Sequence, residues 1–320
     1  MPHEALEDAS IPVSVSPFDG TFAAEVRCGD LKALDATAAA AVRRVWLEHP
    51  VVLFREQTLA DADLVAFGRW FGDFQYSNPL GSPLAREGKV KQGGRNESLP
   101  EITVVSNVIE NGVALGGLGD GEVVWHTDMS SFEAPPNQTI LHALEVPAAG
   151  GCTSFANMYE AYDALPASLK ATADTLLLKH DATIDAAGYV RAAYRDVQTD
   201  DLAALPGRVH PLVRIHPETG RPCLYLGRRQ RACIVGLPAT ESEQLLDELW
   251  AHATHERFTW THRWRKGDVL MWDNRCVMHR REPFDAKARR VLHRVVIKGS
   301  APFGAALPRS EMNNKDGVTC

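Results

Sequence analysis

The sequence of 320 residues predicts a mainly β fold, a sandwich or jelly roll to which helices are added. Short apolar or alternating runs that are typical of strands fill the middle and the C-terminal half. Helical patterns are found at the front and in the connections between those runs. A doubly wound parallel sheet is disfavoured, because no glycine-rich turn of the dinucleotide-binding type is followed by a helical pattern.

Two helices with a strand between them are predicted at the front of the chain. Residues 35–47 and 60–71 carry apolar side chains at helical spacing, and Asp35 is a suitable N-cap for the first helix. The apolar run 51–54 has two β-branched residues and reads as a strand. Residues 81–100 are rich in Gly, Ser and charged side chains and are predicted to form a mobile surface loop.

The remaining elements alternate between strands and helices. The predicted elements are strands at 102–109, 139–144, 258–264 and 291–297, a hairpin formed by 209–216 and 222–226, and helical stretches at 158–179 and 241–255. The polar and irregular stretch 181–208 is long for a connection in a compact domain, so it is a candidate lid.

Composition excludes several classes of protein. The net charge of -7 and the pI near 5.9 argue against nucleic-acid and anionic-membrane partners, since both reward a basic surface. The six cysteines are scattered without a C-x-x-C pair, as expected of free thiols in a reducing compartment. The N-terminus lacks the features of a secretory signal, and no apolar run approaches the length of a membrane span. We therefore expect a cytoplasmic protein that acts on a small molecule.

The strongest chemical signal is His126-Thr127-Asp128, followed far along the chain by His279. In an extended segment, residues two apart share a face, so the imidazole of His126 and the carboxylate of Asp128 would point the same way. Two histidines and one carboxylate, with other positions open, form the ligand set of non-haem Fe(II) oxygenases. A lone His-x-Asp is more often a surface turn or a core hydrogen bond, so the pattern needs support from elsewhere.

Two arginines near the C-terminus add that support. Arg290 and Arg294 are four residues apart in an otherwise largely apolar run and would share one face of a strand. A buried guanidinium is costly without an anion, and no acidic residue close in sequence is an obvious partner. An acidic co-substrate held bidentately would supply the anion. The alternative is an ordinary salt bridge to a distant Asp or Glu.

Further motifs accompany the histidines and arginines in a set order. They are Trp125-His126-Thr127-Asp128, Ala143-Leu144-Glu145-Val146-Pro147, Gly150-Gly151-Cys152-Thr153, His210-Pro211-Leu212-Val213-Arg214, His216-Pro217-Glu218-Thr219-Gly220, Gly267-Asp268, Trp272-Asp273-Asn274-Arg275, His279 and Arg289-Arg290-Val291-Leu292-His293-Arg294. With these motifs the chain resembles the taurine dioxygenase-like (TauD/TfdA) branch of the Fe(II)/2-oxoglutarate-dependent dioxygenases, over residues 20–300.

The resemblance implies a fold, a cofactor and a reaction. The fold is one double-stranded β-helix domain over residues 1–320, a cupin-like jelly roll flanked by α-helices. His126, Asp128 and His279 would bind Fe(II), and Thr153 and Arg290 would hold the distal carboxylate of 2-oxoglutarate. The expected reaction uses O2 to oxidise, most simply to hydroxylate, a small organic substrate, with release of succinate and CO2. Relatives are often dimers or tetramers, so a homo-oligomer is expected.

The resemblance also suggests where a substrate would bind. Arg294 matches an arginine that meets an anionic substrate in some members, Met129 matches a position near substrate, and Asn78 is a cavity candidate by its rough position. Cys152 stands where an acidic residue is frequent, a departure that we expect to be harmless. The insertion at 81–100 departs from shorter members and could reshape the substrate entrance, so substrate identity does not carry over.

Two other functions use the same residues. The first is a metal-binding or 2-oxoacid-binding sensor or scaffold on this fold, which would bind its ligands without turnover. The second is a metallohydrolase, which would be active without oxygen.

Overall fold

Strands make up most of the regular structure in the computed structural model, which describes residues 11–76, 83–96 and 98–308. The strands are β1 (Ser14–Pro17), β2 (Ala23–Arg27), β3 (Val51–Phe54), β4 (Thr103–Ser106), β5 (Ile109–Glu110), β6 (Val113–Ala114), β7 (Gly117–Leu118), β8 (Val123–His126), β9 (Gln138–Glu145), β10 (Thr153–Asn157), β11 (Leu177–Asp181), β12 (Gly207–Pro211), β13 (Val213–Ile215), β14 (Pro222–Leu224), β15 (Cys233–Ile234), β16 (Thr259–His262), β17 (Val269–Asp273), β18 (Val277–Arg281) and β19 (Val291–Ile297). The α-helices are α1 (Ala36–Glu48), α2 (Asp61–Arg69), α3 (Pro83–Arg86), α4 (Met158–Asp163), α5 (Ala167–Ala173) and α6 (Ala239–Ala253).

Two sheets form the body of the protein. The larger has the strand order β1-β2-β3-β17-β9-β19-β4-β7 and the smaller the order β16-β10-β18-β8. Strands that are distant in sequence lie side by side, as where β9 runs between β17 and β19 and β10 runs between β16 and β18. This interleaving of antiparallel strands over two sheets is that of a double-stranded β-helix, and the predicted fold class is confirmed.

The alternation of side chains along β17 divides the core into two parts. Leu270 and Trp272 point between the two sheets, where the ring of Trp272 lies 5.4 Å from that of Phe155 on the smaller sheet. Val269 and Met271 point the other way and join a second apolar cluster. Period-two alternation with both faces covered explains why β17 is apolar at four successive positions.

Helices α1 and α2 cover the outer face of the larger sheet. Trp46 of α1 and Phe67 of α2 are buried in the same cluster as Met271. Asp35 caps α1 as predicted, because its Oδ1 accepts a hydrogen bond of 2.7 Å from the backbone N–H of Ala38. Among the described residues, no helix is both long enough and apolar enough to cross a membrane.

Several predicted boundaries were wrong. The helical stretch predicted at 158–179 ends earlier, and its last residues belong to β11, in which burial alternates as in a strand. Only Val213–Ile215 and Pro222–Leu224 form the predicted hairpin, because β12 pairs with β11 instead. The strand predicted at 102–109 is interrupted after Ser106. Cys28, Cys152, Cys223 and Cys276 are free thiols, as predicted, and Cys320 lies outside the described residues.

The segment 81–100 has local structure where it is described. It contains α3 and a 3-10 helix at Lys91–Gly94. Its mobility stays a prediction.

A buried ionic network closes the end of β17. Asp273 accepts hydrogen bonds from Nε and Nη2 of Arg275 at 2.8 and 2.7 Å, and from Nε2 of His216 at 3.0 Å. Burial favours the neutral acid, but the charge of Arg275 outweighs it and holds the pKa of Asp273 well below its usual range. Arg275 also pairs with Glu218, and Nδ1 of His216 accepts a hydrogen bond from the backbone N–H of Thr219.

This network also accounts for a second cluster of metal-binding residue types. His216, Asp273 and Cys276 place potential donor atoms within 4.8 Å of one another. Both nitrogens of His216 are already engaged in hydrogen bonds, and Arg275 occupies the carboxylate of Asp273. Burial raises the pKa of the Cys276 thiol well above its usual value, so the thiolate that a metal requires is disfavoured. We assign the cluster to the fold and not to a metal.

Removal of the carboxylate at the centre of this network tests its structural role. Asp273→Ala leaves the guanidinium of Arg275 buried without its partner, so the free energy of unfolding should fall by about 3 kcal/mol or more. Urea denaturation followed by tryptophan fluorescence measures the change. Asp200→Ala, which removes an exposed carboxylate, should shift stability by less than about 0.5 kcal/mol. Equal stability of the two variants would contradict the assignment.

Candidate active site

The pairing of β8 with β18 brings the two candidate histidine ligands together. His126 and His279 are direct partners in the register, and their ring centroids lie 4.2 Å apart. Asp128 is not on the strand as predicted, since β8 ends at His126 and the chain turns. The turn still directs the carboxylate to the histidines: Oδ1 of Asp128 lies 3.6 Å from Nε2 of His126 and 4.0 Å from Nε2 of His279.

The three side chains fit a divalent metal ion. Their donor atoms lie within 4.8 Å of one another, and all three residues are buried. An ion that sits about 2.1 Å from each ligand atom can bridge donors up to about 4 Å apart. Nδ1 of His126 lies 2.8 Å from the carbonyl oxygen of Val124, which leaves Nε2 free to face Asp128. Burial lowers the pKa of His279 to about 3, so its ring is neutral, as a ligand must be.

Hydrogen bonds hold the candidate carboxylate ligand in place. Oδ2 of Asp128 accepts a hydrogen bond of 2.7 Å from Thr139, whose hydroxyl accepts one of 2.9 Å from Asn274. Nη1 of Arg294 lies 3.5 Å from Oδ1. Burial acts to raise the pKa of Asp128, but the charge of Arg294 and the contact with His126 act in the opposite direction and outweigh it. The pKa therefore lies well below its usual value, and the carboxylate stays ionised.

Thr153 and Arg290 meet at Trp264, deeper between the sheets. The hydroxyl of Thr153 accepts a hydrogen bond of 2.9 Å from the indole of Trp264, and the guanidinium of Arg290 lies 6.0 Å from the centroid of that ring. A Cβ at Gly151 would lie 3.4 Å from Nε of Arg290, so glycine leaves the guanidinium its space. Gly151 also has a φ of +66° that favours glycine.

Arg290 is a buried cation that lacks a carboxylate partner. Its side chain is 2% exposed, and Nε has no hydrogen-bond partner within the described ranges. No Asp or Glu of the part of the chain that the structure describes forms an ion pair with it, and burial lowers the pKa of Arg290 to about 9. The salt-bridge alternative considered for Arg290 from sequence therefore finds no support among the described residues, and a bound anion would offset the cost of burying this guanidinium.

Arg281 is a third arginine in this region, and sequence reasoning missed it. It pairs with Thr153 across β10 and β18, so it shares the inward face with His279, two residues before it. Nη2 donates a hydrogen bond of 3.0 Å to the carbonyl of Leu118, and burial lowers the pKa of Arg281 to about 10. The sequence did contain a signal for Arg281: it is two residues from His279, so both side chains lie on the same face of a strand.

A cavity beside His126 is lined by two of the predicted substrate residues, Met129 and Arg294. It is lined by Thr103, Val104, Val105, Gly117, Leu118, His126, Thr127, Asp128, Met129, Ser130, Ser131, Asp181, Asp185, Ala186, Arg191, Arg228 and Arg294. Met129 adopts a φ of +48°, a backbone conformation that non-glycine residues rarely hold outside sites with a functional constraint. Asn78 lies outside the described residues.

The candidate lid lies over this cavity. Asp181, Asp185, Ala186 and Arg191 come from the stretch 181–208, which leaves the sheet at the end of β11 and returns at β12. Its opening and closing stay a prediction. None of the described residues of segment 81–100 lines the cavity.

Comparison with known proteins identifies the family. The model of the "Taurine catabolism dioxygenase TauD, TfdA family" matches residues 14–296. The chain belongs to this family. It is 37% identical over 298 residues to the alpha-ketoglutarate-dependent 2,4-dichlorophenoxyacetate dioxygenase of Cupriavidus pinatubonensis, covering 90% of this chain and 99% of the relative. It is 31% identical over 315 residues to the alpha-ketoglutarate-dependent sulfate ester dioxygenase of Pseudomonas putida, covering 95% and 96%.

A solved structure agrees with the sequence relatives. The crystal structure of AAD-2 in complex with Mn(II) and N-oxalylglycine covers 91% of this chain and 99% of its own chain, with a TM-score of 0.71 and 27% sequence identity. The protein is therefore an Fe(II)- and 2-oxoglutarate-dependent dioxygenase that uses O2. A sensor or scaffold without turnover is disfavoured, because the relatives are named as dioxygenases.

Removal of one histidine tests the metal site. His279→Ala takes away one of three proposed ligands, so the affinity for Fe(II) should fall by about a hundredfold or more. Anaerobic equilibrium dialysis with iron analysis measures it. His49→Ala, which removes a histidine from the end of α1, should bind iron as the wild type does. Full iron binding by His279→Ala would show that His279 is not a ligand.

Substitution of Arg290, with its neighbour Arg289 as the control, tests the anion site. Arg290→Gln removes the buried cation, so the dissociation constant for 2-oxoglutarate should rise by about tenfold to a hundredfold, as expected when a charge-assisted hydrogen bond is lost. Arg289→Gln is the matched control, because Arg289 is exposed and pairs with Glu145. Calorimetry on the Mn(II)-loaded protein measures both. The prediction fails if the two variants bind 2-oxoglutarate equally well.

Proposed function

We propose that the enzyme hydroxylates a small anionic organic substrate and releases succinate and CO2. The observation that carries this proposal is a metal-binding cluster together with a buried arginine that lacks a carboxylate partner. His126, Asp128 and His279 bring three donor atoms together, and Arg290 is buried at Trp264, whose indole donates to Thr153. Thr153 is two residues from Phe155, the strand partner of His279. A 2-oxo acid would offer one end to the metal and a second carboxylate to Arg290.

The side chains have distinct roles in this proposal. His126, Asp128 and His279 hold Fe(II), and Thr153 and Arg290 hold the distal carboxylate of 2-oxoglutarate. Bound Fe(II) and 2-oxoglutarate supply the oxidising chemistry that activates O2 and transfers an oxygen atom to a C–H bond. The protein fixes the geometry, and the apolar residues between the sheets exclude water.

Thr139 and Asn274 keep the Asp128 carboxylate in one orientation. Their chain of hydrogen bonds engages Oδ2, so Oδ1 remains toward the two histidines. Arg294 also lies at Oδ1, at 3.5 Å. Because a metal ion on Asp128 would compete for that oxygen, Arg294 would be available to a second anion.

An anionic substrate is supported by the charges around the cavity. Arg294 and Arg191 both line it, next to the proposed iron ligands. The two relatives described above act on a phenoxyacetate and on sulfate esters, both of which carry a negative charge. We therefore favour a carboxylate or a sulfate ester as the substrate. The cavity volume of about 90 Å³ is below the roughly 300 Å³ or more typical of ligand pockets. Its small size supports movement of the candidate lid when substrate enters.

Oxygen dependence tests the reaction. With Fe(II), 2-oxoglutarate and a panel of aryloxy acids and sulfate esters, succinate should form only when O2 is present and should match the hydroxylated product in amount. Succinate is quantified by chromatography. Ligand binding with no succinate for any substrate would favour the sensor, and product formation without O2 would favour the metallohydrolase.

A substitution of Arg294 tests the substrate's charge. Arg294→Gln should raise KM for the anionic substrate by about tenfold or more and leave the affinity for 2-oxoglutarate close to that of the wild type. Steady-state kinetics and calorimetry measure the two quantities. Lys298→Gln removes an exposed positive charge just beyond the same strand and should change neither. An unchanged KM in Arg294→Gln would contradict a role for Arg294 in substrate binding.

A further inference from the structure

Two arginines hold the base of the stretch 181–208 in place. Arg228 donates from Nη2 to Oδ2 of Asp181 at 3.0 Å and from Nη1 to the carbonyl of Ile184 at 3.0 Å. Arg231 donates from Nη1 to the hydroxyl of Thr183 at 2.7 Å. Both guanidinium groups therefore bind acceptors of the chain itself, although Nε of Arg228 has no hydrogen-bond partner among the described residues.

Arg191 is engaged differently. Its backbone N–H donates to the carbonyl of Thr183 at 2.8 Å, which fixes the main chain, but its side chain makes only a long contact of 3.4 Å from Nε to the carbonyl of Ile184. No described carboxylate forms an ion pair with it. Asp185 is the nearest candidate by sequence, and its Oδ1 is occupied by the backbone N–H groups of Ala187 and Tyr189.

Arg191 lines the same cavity as Arg294, although one belongs to the stretch 181–208 and the other to β19. Burial lowers the pKa of Arg191; the charges of Asp185 and Asp181 act against this shift, and the charge of Arg294 adds to it. Two like charges that are partly withdrawn from water repel each other, so this arrangement is costly until an anion lies between them.

The acid that pairs with Arg294 is a proposed metal ligand. Asp128 lies 3.5 Å from Nη1 of Arg294, and its charge would be shared with the metal ion. Asp181 and Asp185 also line the cavity, but Asp181 is paired with Arg228, and neither acid forms an ion pair with Arg191 or Arg294 among the described residues. The loaded site would therefore present two arginines to the substrate. Arginine suits such a position, because its planar fork binds carboxylate, sulfate and phosphate bidentately.

We propose that Arg191 is a substrate-specificity residue, which binds the same carboxylate or sulfate group of the substrate that Arg294 binds. This inference rests on the proposed function, since it concerns the substrate of that site. The stretch 181–208 would then add a second cation to the anion site beside the iron ligands. The enzyme should discriminate against neutral analogues more strongly than Arg294 alone would allow.

Inorganic sulfate is the probe that tests this proposal without knowledge of the natural substrate. Calorimetry of sulfate binding is carried out on the full chain with Fe(II) and 2-oxoglutarate, without oxygen. The wild type should bind sulfate, Arg191→Gln should weaken binding by about tenfold, and Arg191→Lys, which keeps the charge, should recover part of the loss. Arg195→Gln is the matched control, because Arg195 lies on the same stretch and is exposed.

A second pair of probes separates charge from shape. Phenoxyacetate and its neutral amide fill similar space, so Arg191→Gln should weaken binding of the acid and leave that of the amide unchanged. Wild-type affinity of Arg191→Gln for sulfate, equal losses of acid and amide, or absence of sulfate binding to the wild type would each overturn the proposal.

Two further measurements test the proposed function separately from the role of Arg191. The affinity for 2-oxoglutarate and the visible charge-transfer band of its anaerobic Fe(II) complex report on the iron site and not on Arg191. Both should be the same in the wild type, Arg191→Gln and Arg195→Gln. Suppose that the wild type lacks the band and that Arg191→Gln binds sulfate more weakly than the wild type. This result would support the anion site and contradict the iron chemistry. A parallel loss of 2-oxoglutarate affinity in Arg191→Gln would assign Arg191 to the fold.

Discussion

The active site depends on the register between β8 and β18. That register sets His126 directly opposite His279, and the turn after β8 then swings the carboxylate of Asp128 to both imidazoles. A shift of one residue would send His279 to the other face of the smaller sheet. Phe155 on β10 supports this register. It pairs with His279 on the edge of β18 opposite β8, and its ring packs against Trp272 of the larger sheet. The same core that stabilises the fold thus positions the metal ligands.

The concentration of arginine side chains is the second feature of the site. Arg281 and Arg290 are buried on the side of Thr153, and Arg191 and Arg294 line the cavity on the side of Met129. Of the other buried arginines, Arg275 has an acid in Asp273, whereas Arg214 lies over the ring of Tyr225. Under the proposed function, Arg290 would bind the co-substrate and Arg294 the acidic group of the substrate.

Sequence reasoning recovered the chemistry better than the boundaries of elements. The triad and Arg290 could be found because each belongs to a motif of fixed residue types. Arg294 lies on β19, as predicted, and Arg290 lies just before that strand. The end of β8 at His126 was missed, since no residue there breaks a strand by itself. The pairing of β11 with β12 was missed because both strands are short and lie on either side of a long irregular stretch.

The residues that escaped prediction act through tertiary structure. Arg191 lies in a polar stretch that reads as a solvated loop, and only the folding of that stretch brings it to the cavity. Trp264 contacts Thr153 and Arg290, the proposed co-substrate residues, only through the tertiary fold. Propensity and periodicity carry no information about such contacts, which arise between distant segments.

The most direct test of the metal and co-substrate sites is a crystal structure of the protein with Mn(II) and N-oxalylglycine, grown without oxygen. We predict one Mn(II) about 2.2 Å from Nε2 of His126, Oδ1 of Asp128 and Nε2 of His279, with the distal carboxylate of the ligand on Arg290 and Thr153. A metal ion bound at His216 and Asp273 instead, or a distal carboxylate that leaves Arg290 unpaired, would contradict it.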